Sequence, residues 1–186
     1  LFLNDFASYR REAAVEARGA SDRYFVFDLS DRRWQAEQLG RKLAAQDITV
    51  QRLSPGAQAC GVRYPDGALV VDRAQPSGKR ITTLLSEETN LPEEFVDEQE
   101  SRRDRGLNHE LYDVTAWSMP LMEGVTSRTC GQVSLSNASV VGADDPITAL
   151  TASNAAYGYV VPWSDAGQAK LVLSALDAGL TGRVTT

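Results

Sequence analysis

Two short, unbroken apolar runs constrain this chain more than any other feature: Tyr24-Phe25-Val26-Phe27 and Ala68-Leu69-Val70-Val71. A strand with one face in water alternates apolar and polar residues. A run that is apolar at every position fits a strand buried on both faces. Between the two runs, residues 32–45 carry Trp34, Leu39 and Leu43 at helical spacing, and residues 49–53 return to strand character. Strand, helix and strand in that order predict a β-α-β unit with parallel strands. The expected fold is therefore α/β: a three-layer α/β/α arrangement with a mainly parallel sheet, flavodoxin-like or class I glutamine amidotransferase-like.

The flanking sequence is read in the same way. Residues 5–18 suggest a helix, with Phe2, Phe6, Tyr9 and Ala13 at helical spacing, Asn4 as a cap and Gly19 as a stop. Turns are expected at Ser54-Pro55-Gly56 and Pro65-Asp66-Gly67, and a helix follows Pro76-Ser77-Gly78 through Leu84 and Leu85. The charged stretch 87–105 reads as a solvated helix from Pro92, and residues 134–152 as loop or irregular strand. A second strand-helix-strand pattern spans 157–184. It shares with 24–50 an apolar strand, a Ser-Asp pair (Ser164-Asp165 and Ser30-Asp31) and a following Gln-Ala, although such units resemble one another in general.

This organisation predicts an N-terminal helical arm, 1–20, and an α/β domain, 21–186, with an insertion at 86–152. The chain starts at Leu1 and its run 182–185 reads as a strand, so a piece of a larger protein, truncated at its C-terminal end, is expected.

The net charge of -6 argues against a nucleic-acid surface, which needs clustered Lys and Arg. No apolar run approaches the roughly 20 residues that cross a bilayer. Cys60 and Cys130 would pair in an exported protein and would more often be small buried hydrophobes in a cytosolic one.

Complete catalytic sites are hard to assemble from this chain. A catalytic zinc commonly uses several His, and the sequence has one, His109. A Cys-His-acid triad needs its nucleophile at a strand-to-helix elbow, and neither Cys60 nor Cys130 precedes a helix. Asp72-Arg73-Ala74-Gln75-Pro76 has the aspartate-to-proline spacing of a phosphoacceptor site. There Asp28 and Asp31 would help hold Mg²⁺, but no Lys follows the last strand. Pro76-Ser77-Gly78-Lys79-Arg80 lacks the earlier Gly and the Ser or Thr of a phosphate loop.

Two segments carry a family resemblance. Residues 67–85, containing Val71-Asp72-Arg73-Ala74-Gln75-Pro76, and residues 112–125, containing Asp113-Val114-Thr115-Ala116-Trp117-Ser118-Met119-Pro120, resemble the region after the catalytic domain in bacterial zinc-carboxypeptidase-like proteins. The resemblance implies an amidotransferase-like fold without its nucleophile. It also implies a parent that removes C-terminal residues with zinc held in its catalytic domain, and an exported or periplasmic location. The family's zinc ligands and catalytic Glu match no position here, so no catalytic or metal residue is assigned to this chain and no cofactor is expected in it. The expected function is that of a non-catalytic accessory domain packed beside the peptidase domain, with Trp117, Met119 and Met122 as contact residues. The alternative is a free-standing ligand-binding or receiver-like domain using Asp28, Asp72 and Ser164 at the C-terminal ends of its strands. A deep polar pocket there would favour binding, and an exposed apolar patch elsewhere would favour docking.

Overall fold

The computed structural model describes residues 2–88, 92–108, 110, 118–147, 157–161 and 163–184. Its elements, in chain order, are α1 (Phe2–Ala17), β1 (Tyr24–Asp28), α2 (Arg33–Ala44), β2 (Val50–Leu53), β3 (Ala57–Ala59), β4 (Val62–Tyr64) and β5 (Ala68–Asp72). They continue with α3 (Gly78–Leu85), α4 (Glu93–Asp104), α5 (Met119–Glu123), β6 (Ser127–Cys130), β7 (Ser139–Val140) and α6 (Ala166–Asp177).

The expected parallel, flavodoxin-like or amidotransferase-like sheet is not what forms. The five strands lie in the order β6-β1-β5-β2-β7, and every neighbouring pair is antiparallel. The β1-α2-β2 unit exists, and its two strands run in the same direction. They are not adjacent, because β5 lies between them, antiparallel to both. Its direction follows from the connection. Leu53 at the end of β2 pairs with Ala68 at the start of β5, so the segment between them, with the small β3–β4 hairpin, turns the chain straight back.

That reversal depends on Gly67, which sits at φ +86° after Pro65-Asp66 and donates its N–H to the Tyr64 carbonyl at 3.2 Å. A Cβ there would fall 2.5 Å from the Leu53 carbonyl oxygen, so only glycine fits.

The two apolar runs form strands buried on both faces, as expected. Phe25 and Phe27 of β1 and Leu69 and Val71 of β5 face one way, into a core closed by Leu39 and Leu43 of α2 and by Ile81 and Leu85 of α3. Tyr24, Val26, Ala68 and Val70 face the other way, where the β3–β4 hairpin supplies Ala59 and Tyr64, and Val133 and Leu135 pack alongside. Among the described residues, helices pack on the first of these faces. Each fully buried Leu or Phe in such a core contributes about 1.5–3 kcal/mol.

The second β-α-β expectation fails on both sides of its helix. α6 forms as predicted and is followed by Gly179 at φ +83°, but residues 157–161 and 181–184 form no strand. The resemblance between 24–50 and 157–184 is thus one of local pattern, because among the described residues no sheet edge receives the second pair of runs. α1 also departs from expectation. It starts at Phe2, which places Asn4 inside the helix, and the residues it buries are Ala13 and Ala17, while Phe2, Phe6 and Tyr9 stay exposed.

Two polar devices fix the helices and the sheet. Glu37 of α2 is 1% exposed and takes a two-pronged ion pair from Arg52 of β2 at 2.6 and 2.5 Å, with Arg33 Nε at 3.7 Å. These hydrogen bonds hold the Arg52 guanidinium pKa above its ordinary value. Arg23 grips Asp72 in the same two-pronged way at 2.9 and 2.7 Å.

Candidate functional site

The antiparallel sheet scatters the residues that a parallel one would gather. Asp72 pairs with Tyr24 at one end of β1, and Asp28 lies at the other end, opposite Ala68. Four register steps separate the two carboxylates, about 13 Å along the strands. Each is also occupied locally. Asp72 holds Arg23 and the Ala74 N–H at 2.7 Å, and Asp28 accepts the Ser30 N–H at 2.8 Å and its hydroxyl at 2.7 Å. Both are Asx-type turn geometries, in which a strand-end carboxylate satisfies the backbone that follows. Ser164 is exposed, and its hydroxyl lies 3.4 Å from the Gln168 side-chain oxygen. Its neighbour Asp165 accepts the N–H of Trp34 in the first turn of α2, six residues beyond Asp28, so Ser164 sits away from Asp72. No site at strand ends brings Asp28, Asp72 and Ser164 together.

Cys60 and Cys130 are bonded to each other, with Cα atoms 5.3 Å apart and 70 residues between them in sequence. Cys60 occupies the two-residue turn of the β3–β4 hairpin, between the paired Ala59 and Val62. Both turn residues have positive φ, 51° at Cys60 and 73° at Gly61, the pattern of a type I′ turn. Cys130 ends β6 opposite Tyr24. The disulfide therefore fastens the covering hairpin to the strand bordering β1. Neither sulfur is a free nucleophile or metal ligand in this state. Among the described residues, no group of three or more His, Cys, Asp or Glu is placed to hold a metal, and His109 lies outside them.

The three proposed contact residues divide. Met119 opens α5 and packs partly against the helix-side core. Met122, one turn on, is 66% exposed, with Leu121 beside it also exposed. Trp117 lies outside the described residues.

The larger apolar surface was not singled out from the sequence. α6 buries no residue at all, and Leu171, Leu173, Leu176 and Leu180 are exposed. Tyr157, Val160 and Trp163 precede it, Trp163 at 71% exposure. The segment is held at one end, where Asp165 receives the Trp34 N–H at 2.8 Å and the Gly167 N–H at 2.6 Å. Gly167 lies against the Trp34 ring so closely that a Cβ would fall 2.8 Å from it. The signal was present in the sequence as a helix with two charged residues in twelve, Lys170 and Asp177. The expectation of a covering sheet hid its meaning.

Two aromatic hydroxyls on the hairpin side have altered acidity. Burial pushes the Tyr24 pKa up, with the Asp72 charge adding to it, and burial also raises that of Tyr64. The Tyr64 hydroxyl is buried without a hydrogen-bond partner among the described residues.

Comparison with protein-family models, with curated proteins and with solved structures finds no match for this chain.

Proposed function

We propose that this chain is a non-catalytic accessory domain that packs beside the peptidase domain of a zinc-carboxypeptidase-like protein. The observation that carries the docking part is the apolar surface of α6, Tyr157, Val160 and Trp163, left uncovered among the described residues in a chain of ordinary composition. Exposed apolar patches of this extent mark contact surfaces in soluble proteins. The peptidase part rests on the sequence resemblance of 67–85 and 112–125. Zinc and the hydrolytic residues belong to the neighbouring domain on this reading, and the present chain supplies surface and stability.

The test mixes the chain with the separately produced peptidase domain and measures association by sedimentation velocity, with zinc content and release of C-terminal residues measured on each component. The expected result is a one-to-one complex, weakened by Leu173→Asp and Leu176→Asp, with zinc and activity confined to the peptidase domain. Stoichiometric zinc or hydrolysis in the isolated chain would sink the proposal, and so would two components that sediment independently.

A further inference from the structure

A different face of the molecule is chemically unlike the rest. Two adjoining concavities, of about 510 and 470 Å³, run along α1 and the start of α3, and Arg10 and Pro76 line both. The basic residues around them are Arg10, Arg11, Arg18, Lys79 and Arg80, and the acidic one is Asp47. In a chain of net charge -6, that is a local excess of positive charge. The acids of α1, Asp5, Glu12 and Glu16, line neither concavity.

None of the five cations is in an ion pair among the described residues. Arg23 and Arg73 nearby are neutralised by Asp72 and Asp22. Three of the five are held in place without being neutralised. Lys79 Nζ sits 4.5 Å over the Tyr9 ring, Arg10 lies 5.6 Å from the Phe6 ring, and Arg80 donates to the Gln46 carbonyl. Ring faces and a carbonyl orient a cation but leave its charge available. Phe6 and Tyr9, both about half exposed, give the same groove an apolar wall.

We infer that the groove between α1 and α3 binds an acidic peptide segment of a protein partner, its carboxylates on Arg10, Lys79 and Arg80 and its apolar side chains on Phe6 and Tyr9. The charge complementarity is local, because the remaining surface repels such a segment, and this focuses an acidic partner onto the groove. A concave groove suits a peptide better than a membrane. The inference does not depend on the accessory-domain reading, since it uses neither α6 nor a peptidase.

The test uses the full chain and a fluorescein-labelled peptide alternating Glu with Leu and Phe, its control carrying Gln in place of Glu. Fluorescence anisotropy should rise saturably with the Glu peptide only, and binding should weaken as salt is raised. Arg10→Ala with Lys79→Ala should weaken it about tenfold, while Lys79→Arg, which keeps the charge, should bind nearly as the parent chain does. Thermal melts of each variant separate loss of binding from loss of fold. Equal binding of the Gln peptide, an unaffected double variant that is folded, or no binding at low salt would overturn the inference. Cosedimentation with phosphatidylserine vesicles in the absence of peptide binding would overturn it too, and would make the face a membrane-facing one.

Discussion

Asp165 closes the first turns of two helices at once, accepting the Trp34 N–H of α2 at 2.8 Å and the Gly167 N–H of α6 at 2.6 Å. The first N–H groups of a helix have no partner within it, so a carboxylate at that place satisfies donors and complements the helix dipole. Arg32, which precedes α2, offers no side-chain cap, and Asp165 supplies it from 131 residues away.

Replacing Asp165 by Ala should therefore cost about 1–2 kcal/mol in denaturant unfolding. Amide exchange should quicken across α6 first, with β1 and β5 remaining protected. Asp165→Asn keeps an acceptor and should lose less. Uniform acceleration across the whole chain would show that α6 is not separately held.

The Cys60–Cys130 bond closes a separation of 70 residues. Its removal frees the unfolded chain by about 4 kcal/mol on the loop-entropy account. Cys60→Ser with Cys130→Ser should show a loss of that order under oxidising conditions. Cys60→Asn with Cys130→Ser should recover about 1 kcal/mol of it, because Asn tolerates the left-handed backbone at φ 51° better than Ser. Equal stability of the two double variants would remove the turn from the account.

The pKa values of Tyr24 and Tyr64 are both raised by folding. The folded state then holds its phenolic protons more tightly than the unfolded one, whose Tyr titrates near pH 10. Their contribution is full below that pH and is lost as pH rises through the folded values. Stability should fall above about pH 10, and Tyr64→Phe should flatten part of the fall. Because the Tyr64 hydroxyl is buried without a partner among the described residues, the same substitution should raise stability at neutral pH by about 1 kcal/mol. Chemical denaturation at several pH values checks both effects, and a loss at neutral pH would contradict the second.

The Glu37–Arg52 pair predicts an asymmetry. Glu37 is 2% exposed at its side chain and Arg52 is 24% exposed. Arg52→Met strands the more deeply buried charge, with only Arg33 Nε at 3.7 Å to answer it, and should cost about 3 kcal/mol. Glu37→Gln leaves Arg52 able to turn to water and should cost about 1 kcal/mol. Equal losses would show that the pair acts through packing alone.

Local structure was written plainly in the sequence. The runs at 24–27 and 68–71, the periodicity of Leu39 and Leu43, and Pro65-Asp66-Gly67 place β1, β5, α2 and the chain reversal close to where they lie. Their physics is local or nearly so: a helical face, an alternating backbone and a glycine able to turn. Burial on both faces was legible as well. Strand direction was not, because it depends on which strands become neighbours, and β5 inserts between β1 and β2 through pairings that no local pattern encodes.

The docking surface and the disulfide fall on the same side of that divide. The leucines of α6 looked like those of any buried helix, but among the described residues no strand forms at 157–161 or 181–184 to cover them. Cys60 and Cys130 could be read from sequence as paired or unpaired. The hairpin folded onto the sheet brings their Cα atoms to 5.3 Å, and the tertiary structure alone makes that choice. Sequence determined which residues become strand, helix and core, since solvation and backbone preference act residue by residue. Tertiary structure decided the neighbours, and through them strand direction, the separation of Asp28 from Asp72, and which apolar faces remain open.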